Sequence, residues 1–460
     1  MRILKKKLLI ATVLLCGGLN TQAAVFNTYN DEGNLFRSNL NGSLAPNVTE
    51  QLDKRSKSKD AVLYLLEKGR LLQVNHQYQE SAEVYKKAFE LLDKQNNRAV
   101  VSASRMGFKA LSMLSNDSVL PYHVPRYEQV LAHVSQAKNY ISLQDVEAAG
   151  VEMRVAQRIQ REIEQDHQKE LEKKIAKDKD KQVKSDQAKQ DNESAFAALD
   201  EAFNGLDTIA GRVKNSYQNA YAFYMAANLW EAVGEYNDAL VDYKKSYELQ
   251  ADKYIASDVK RLDQTALKQG NTVPVVVFIE QGTIPQKIEN KLALPLPNGI
   301  VNMAFATYEP STYQAPQSLR IKVGDKATHQ SFVLNDIGAL AVKELKEKTM
   351  NTVTSQIVRA TAKYAVQQEL GNQLGPLGQL AGTLMNFASE RADLRAWSTL
   401  PSNTQISRFE LKPGNHSLQV LGKNAKSEVV KLDVKPNQTL FVYVNDVNDK
   451  ITTSVSVVSR

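Results

Sequence analysis

The sequence contains a single cysteine, Cys16, and its six histidines are scattered along the chain. One cysteine excludes an intrachain disulfide and a thiolate zinc site, and the histidines lack metal-ligand spacing. The HExxH, GxxxxGK[ST] and GxSxG motifs are also missing, as is a GxGxxG loop after a strand. A SxxK match at Ser135 and Lys138 lacks its companion SDN and KTG motifs. We therefore predict a non-catalytic protein that needs no cofactor and no metal.

Long apolar runs are scarce, and the most prominent one lies near the start of the chain. Four basic residues precede the apolar residues 8–19, and the small residues Ala23 and Ala24 follow. This order is typical of a secretory signal peptide, so we expect a leader of residues 1–23 and a periplasmic mature protein. No later run reaches the ~18 apolar residues typical of a spanning helix, so we expect no transmembrane helix in the mature chain.

The residues around Cys16 allow a second interpretation of the leader. The stretch LLCGG resembles the lipidation box of bacterial lipoproteins, although the bulky Leu15 stands where that motif has a small residue. Cleavage after Ala23 and lipidation of Cys16 therefore both stay open. Lipidation would tether the protein to the outer membrane through Cys16.

Charge of one sign does not dominate the composition. The chain has 58 Lys and Arg against 51 Asp and Glu, and its formal charge of +7 falls by four, to +3, without the four basic residues of the leader. This balance argues against a nucleic-acid partner. We interpret residues 24–59 as an N-terminal lead-in or linker that is partly extended and partly helical, and its basic stretch KRSKSK as solvated.

Residues 221–251 carry the clearest pattern in the chain. Counted from Ala220, small or aromatic residues occupy positions 4, 8, 11, 15, 17, 20, 24 and 27, namely Phe223, Ala227, Trp230, Gly234, Tyr236, Ala239, Tyr243 and Ser246. This arrangement resembles the tetratricopeptide (TPR) repeat, a unit of 34 residues that folds as two antiparallel helices. Small residues let the two helices approach closely, and aromatic residues fill the space beside them.

Two looser units share the pattern and start at Val62 and Val130, which are two repeat lengths apart. We therefore predict a TPR-like helical domain over residues 60–270, with a degenerate repeat around 96–120. Residues 157–194 are almost wholly charged or amidic, so we predict there an inserted solvated helix that frays near Asp178.

The resemblance to TPR proteins implies a concave groove that binds an extended peptide or a partner helix. In that family the groove is lined by positions 2, 5, 9 and 12 of each first helix. In this chain the candidate partner-binding residues at those positions are Tyr221, Tyr224, Asn228, Glu231, Arg70, Gln73 and Lys138. We expect their side chains to face solvent until a partner binds. We assign the apolar residues at such positions, Leu63, Leu66, Leu131 and Val134, to helix–helix contacts.

The hydrophobic period changes near residue 271, where short β-rich runs begin. They are separated by turn sequences such as KPGN and KPNQ, a spacing typical of an antiparallel sandwich. Two apolar stripes lie between the two groups of strands and are separated by a break at residues 371–378, which predicts an inserted helical hairpin over residues 337–395. The predicted fold class is therefore multidomain α + β, with a helical repeat domain followed by a sandwich-like β domain at 271–460.

The segment ERADLRAWSTLP ends this insertion and has two interpretations. Asp393, Arg395 and Trp397 could form a patch that faces a partner, because Arg and Trp dominate binding hot spots. The same residues could form an ion pair and an anchoring Trp at a helix end.

The overall layout resembles a family of uncharacterised exported proteins of Gram-negative bacteria. The segments VGEYNDALVDYKKSYEL and RADLRAWSTLP carry this resemblance. It implies an envelope location and adds no activity, and it favours lipidation of Cys16, since many such proteins are lipidated. We hypothesise a scaffold in the assembly or regulation of an envelope machine. The alternative is a β domain that binds glycan or lipid, with the helices as a spacer.

Overall fold

The computed structural model describes residues 29–104, 120–191, 193–263, 271–296, 299–325, 327–353 and 392–459. Helices fill the N-terminal half and strands most of the C-terminal half, which confirms the mixed α and β composition. The leader, with Cys16 and Ala23, lies outside the described residues, as does most of the predicted helical insertion. None of the described helices is long and apolar enough to cross a membrane.

The helices of the N-terminal half are α1 (Tyr29–Ser38), α2 (Pro46–Arg55), α3 (Ala61–Val74), α4 (Tyr78–Ser104), α5 (Arg126–Ser142), α6 (Val146–Asp191), α7 (Glu193–Ala202), α8 (Asp207–Ala210), α9 (Ala220–Val233), α10 (Tyr236–Leu249) and α11 (Lys253–Asp263). A further helix, α12, occupies residues 337–353.

Three pairs of these helices share one sequence register. Counted from Val62, Val130 and Ala220, the second helix of each pair begins at position 17. Position 15 has a left-handed backbone in all three turns, with φ of 61° at His76, 65° at Gln144 and 91° at Gly234. The pairs α3/α4, α5/α6 and α9/α10 therefore have the same turn geometry.

Small residues at the repeat positions allow the helices of each pair to pack closely. Positions 20 and 27 are fully or almost fully buried in all three pairs and hold Ser81, Ala88, Ala149, Ala156, Ala239 and Ser246. Gly69, at position 8 of the first pair, lies directly under the Tyr85 ring, and an added Cβ would come within 2.8 Å of that ring. The small residues that identified the repeats in the sequence are thus explained by close packing.

Replacing Gln144 by glycine is expected to stabilise the protein by about 0.5–1 kcal/mol. A left-handed conformation costs an L-residue about 1–2 kcal/mol. This cost exceeds the extra conformational entropy that a glycine loses when the chain folds. Urea denaturation of Gln144→Gly measures the change, and Gly234→Ala is the matched control with an expected loss of about 1 kcal/mol. Destabilisation by Gln144→Gly would contradict the assigned turn.

Two details of the predicted helical domain are wrong. Helix α4 continues to Ser104 without a break near residue 96. No turn therefore separates the first unit from the expected degenerate repeat at 96–120. Residues 105–119 of that repeat lie outside the described residues. Helix α6 continues to Asp191 and does not fray near Asp178, because its charges of both signs are compatible with a solvated helix. The lead-in contains the helices α1 and α2, and apolar side chains of both helices pack against α3.

The strands of the C-terminal half are β1 (Val273–Gln281), β2 (Lys287–Leu296), β3 (Gly299–Tyr308), β4 (Arg320–Val323), β5 (Ala327–Gln330), β6 (Phe332–Asp336), β7 (Asn403–Leu411), β8 (Gly414–Leu421), β9 (Val430–Val434), β10 (Gln438–Val447) and β11 (Lys450–Ser459). They form a five-stranded sheet in the order β11-β10-β1-β7-β6, a four-stranded sheet β5-β4-β8-β9 and the hairpin β2-β3.

Strand β1 lies at the centre of the five-stranded sheet and is covered on both faces. Val275 and Val277 pack toward the four-stranded sheet, whereas Val276 and Phe278 pack against the helical repeats. Burial on both faces explains why this strand is a continuous apolar run in the sequence. The β1–β10 pair is parallel, so the expectation of a purely antiparallel arrangement is wrong. The two strands are far apart in sequence, and local turn signals cannot reveal such a pairing.

Candidate functional site

The predicted groove positions do line a common surface, but the five-stranded sheet of the same chain covers it. Tyr221 and Tyr224 are 0 % exposed, and Asn228 is 1 % exposed. Glu231, Arg70, Gln73 and Lys138 are buried as well. The prediction that these side chains face solvent is therefore wrong. The sequence pattern located the concave surface of the helices and did not reveal what occupies it.

The first polar cluster in this interface joins α9 and α11 to β7. Arg408 of β7 donates to both carboxylate oxygens of Glu231, at 2.8 and 3.0 Å, and to Asn228 Oδ1 at 2.7 Å. Arg261 of α11 donates to the same two oxygens of Glu231, at 2.6 and 2.8 Å. Glu231 is thus held between two guanidinium groups.

The same cluster is balanced in charge. Tyr224 donates its hydroxyl to Asp258 Oδ2 at 2.7 Å, and Asp258 lies 3.5 Å from Arg408 Nε. Two carboxylates therefore face two guanidinium groups. Burial alone would raise the pKa of Glu231, but Arg408 and Arg261 outweigh it and lower that pKa to about 2. Glu231 is therefore a fixed negative charge at neutral pH.

The second polar cluster joins α3 and α5 to β1 and β10. Glu280 of β1 accepts from Lys138 Nζ at 2.7 Å and pairs with Arg70 Nη1 at 2.5 Å. Arg70 Nη2 also donates to Asn445 Oδ1 of β10 at 2.9 Å. Burial lowers the pKa of Lys138 to about 8, and the neighbouring Glu280 limits this decrease. Gln73, by contrast, binds the neighbouring helix, where it donates to the backbone oxygen of Ser135.

The predicted patch of Asp393, Arg395 and Trp397 is also enclosed by the fold. Arg395 pairs bidentately with Asp393, at 2.8 and 2.6 Å, and also contacts Asp60 and the backbone oxygen of Leu120. The Trp397 side chain is 0 % exposed. The interpretation as an exposed patch that faces a partner is therefore wrong. The structure has the ion pair and the anchoring Trp of the second interpretation, although residues 392–396 are not helical.

Two buried carboxylates hold the backbone of this segment, and sequence reasoning missed both. Glu67 accepts from the backbone N–H groups of Ser398, at 2.5 Å, and Thr399, at 3.2 Å. Glu128 accepts from the Trp397 N–H at 3.3 Å. The available signal was an acid inside the apolar run VLYLLEKGRLL, where a buried carboxylate requires partners.

Burial raises the pKa of Glu128 to about 7, and the Tyr122 hydroxyl lies 2.9 and 2.8 Å from its two oxygens. Both carboxylates bind groups of the same chain, so they act as anchors for the 395–399 segment. Within the described part of the chain, no group of three or more His, Cys, Asp or Glu is arranged to hold a metal ion.

No protein-family model, curated protein or solved structure matches this chain.

Proposed function

We propose that the protein is a non-catalytic scaffold of the bacterial envelope, built from TPR-like units and a sandwich-like β domain. Its concave groove holds its own β domain, and it binds a protein partner through another surface. The shared register of α3/α4, α5/α6 and α9/α10 supports the TPR-like description. The apolar core between the two larger sheets supports the sandwich-like description.

The observation that carries this proposal is that polar groove side chains from all three units contact the sheet. Arg70, Lys138 and Glu231 come from three different helices and pair with Glu280 or Arg408. A peptide that entered the groove would have to separate buried charges, and breaking such pairs costs about 3–5 kcal/mol each. The groove is therefore the site where the two halves of the chain are joined.

The surface that best fits a partner lies on helix α6 at residues 164–169. The helix has 46 residues, which corresponds to a length of about 69 Å. Its first turns bury Met153 and Ile159 in the core, whereas residues 164–169 are all exposed. Its charges of both signs suit a partner surface with complementary charges, because opposite charges across an interface favour specific and rapid association.

The proposed location rests on the leader. A basic start followed by an apolar run and small residues directs the chain to the envelope, with cleavage after Ala23 or lipidation of Cys16. Mass spectrometry of the mature N-terminus distinguishes the two. A start at Ala24 supports a periplasmic protein, a diacylated Cys16 supports an outer-membrane tether, and an intact Met1 would contradict both.

Site-specific photo-crosslinking in cells tests the partner surface. A photoreactive residue placed at the exposed Gln168 of α6 is expected to give a discrete crosslinked product with another envelope protein. The matched control is the same residue at Lys431, an exposed position on β9, where no such product is expected. Crosslinks from Lys431 but not from Gln168 would contradict the proposal and favour the β domain as the binding part.

A further inference from the structure

We propose that Arg70, Lys138, Tyr221 and Tyr443 form a buried binding site for one small inorganic anion of the size of chloride. The site lies where α3, α5 and α9 meet β1 and β10. This inference is independent of the proposed scaffold function, since it concerns how the two halves of the chain are held together.

Unpaired hydrogen-bond donors outnumber unpaired acceptors in this cluster. Arg70 Nε and the hydroxyl groups of Tyr221 and Tyr443 are buried, and none has a hydrogen-bond partner among the described residues. The one acceptor of the cluster in the same position is Glu280 Oε2, which lies 2.5 Å from Arg70 Nη1 as an ion pair. Lys138 Nζ lies 5.3 Å from the centre of the Tyr443 ring, and both Arg70 and Lys138 contact Glu280. Unpaired buried donors are costly, so the cluster favours a group that accepts several hydrogen bonds.

The charges of the cluster also favour an anion. Arg70 and Lys138 carry two positive charges, whereas Glu280 is the acidic side chain that pairs with both of them. The cluster around Arg408 on the same interface balances two guanidinium groups with two carboxylates. One monovalent anion would balance the cluster around Arg70 in the same way. Buried charges that lack compensation destabilise a fold by several kcal/mol, so the excess positive charge gives the anion its affinity.

The surroundings of the cluster restrict the kind of anion that fits. Arg70 and Lys138 are 2 % and 4 % exposed, and Tyr221 is 0 % exposed. Aromatic rings line the cluster, since Tyr221 packs edge-on against Phe278 at 5.7 Å between ring centres. Such an apolar and closely packed surrounding favours a monovalent, weakly hydrated ion over phosphate or sulfate. Glu280 would repel the anion, so we expect it on the far side of Arg70 and Lys138 from that carboxylate.

Anomalous diffraction from crystals of the intact protein grown in sodium bromide tests the site directly. Bromide replaces chloride and scatters anomalously, so we expect a peak within about 3.5 Å of the Lys138 ammonium or the Tyr221 hydroxyl. A bromide-containing crystal with bromide peaks only on the protein surface, and water between these donors, would overturn the proposal.

Thermal unfolding in solution gives a second test that does not depend on a crystal. The Tm should rise by about 2 °C or more for each tenfold increase in chloride, compared with gluconate at the same ionic strength. Tyr221→Phe/Tyr443→Phe, which keeps both rings and removes two donors, is expected to lose most of this difference. Lys245→Met, at an exposed pair on α10, is the control that should keep it. Equal Tm values in chloride and gluconate for the wild-type protein would overturn the proposal.

Discussion

Glu231→Gln is expected to destabilise the protein by about 3–5 kcal/mol. Glutamine has nearly the same shape, but it leaves the buried Arg408 and the partly buried Arg261 facing a single carboxylate, Asp258. Removing one partner of a buried charge pair costs far more than the pair itself contributes, because the remaining charge keeps its desolvation penalty. The midpoint of urea denaturation measures the loss at pH 7.

The matched control for this substitution is Glu235→Gln, in the turn between α9 and α10 of the same helix pair. Glu235 is 45 % exposed and pairs with Arg154 at 3.2 Å, so its loss should cost less than about 1 kcal/mol. Similar effects of the two substitutions would contradict the buried position of Glu231.

The difference in stability between the wild-type protein and Glu231→Gln should depend on pH. The pKa of Glu231 is about 2 in the folded protein and about 4.3 in an unfolded chain. The contribution of the carboxylate is therefore complete above about pH 5 and decreases as the pH falls toward 2. Denaturation at pH 6 and pH 3 checks this, and a difference that increases at pH 3 would contradict the ion pairs.

Trp397→Ala is also expected to cost about 3–5 kcal/mol. The Trp397 side chain is fully buried and meets the Tyr85 ring edge-on, with 6.1 Å between ring centres. Its truncation leaves a cavity between the helical half and the 395–399 segment. Trp397→Phe is the matched variant, because it keeps one aromatic ring but loses the 3.1 Å hydrogen bond to Thr399 and part of the buried ring volume, so a smaller loss of about 1–3 kcal/mol is expected.

Calorimetry or urea denaturation of both Trp397 variants checks this result. A loss below about 1 kcal/mol for Trp397→Ala would indicate that the side chain faces solvent. That outcome would restore the interpretation of this segment as an exposed patch.

The antiparallel helix pairs were predictable because their signal is local. Close packing within one helix pair needs small residues at fixed spacings, so Ala227, Ala239 and Gly234 mark the fold within a short stretch of sequence. The left-handed turn at Gln144 was less visible, since glutamine is not a typical residue there. The surrounding helix pair imposes the same turn on it.

The occupant of the groove was not predictable from local patterns. Glu231 and Arg408 are separated by 177 residues, and no periodicity links the two segments. The signal that was present is a charged residue on the buried face of an apolar element. Glu280 in VVVFIEQ and Glu67 in VLYLLEKG are such residues, and a charge in that setting requires a partner from elsewhere in the chain.

The chain's own sheet closes the concave face of the helices, and Glu231 of α9 meets Arg408 of β7 across this contact. A double-mutant cycle on these two residues tests the closure most directly. Glu231→Gln, Arg408→Met and the double variant are compared by urea denaturation. The double variant keeps the Arg261–Asp258 pair, so it should be more stable than the sum of the single losses predicts, with a coupling energy of about 2 kcal/mol or more. Losses that add within about 0.5 kcal/mol would show that the two residues do not meet, and would contradict the account.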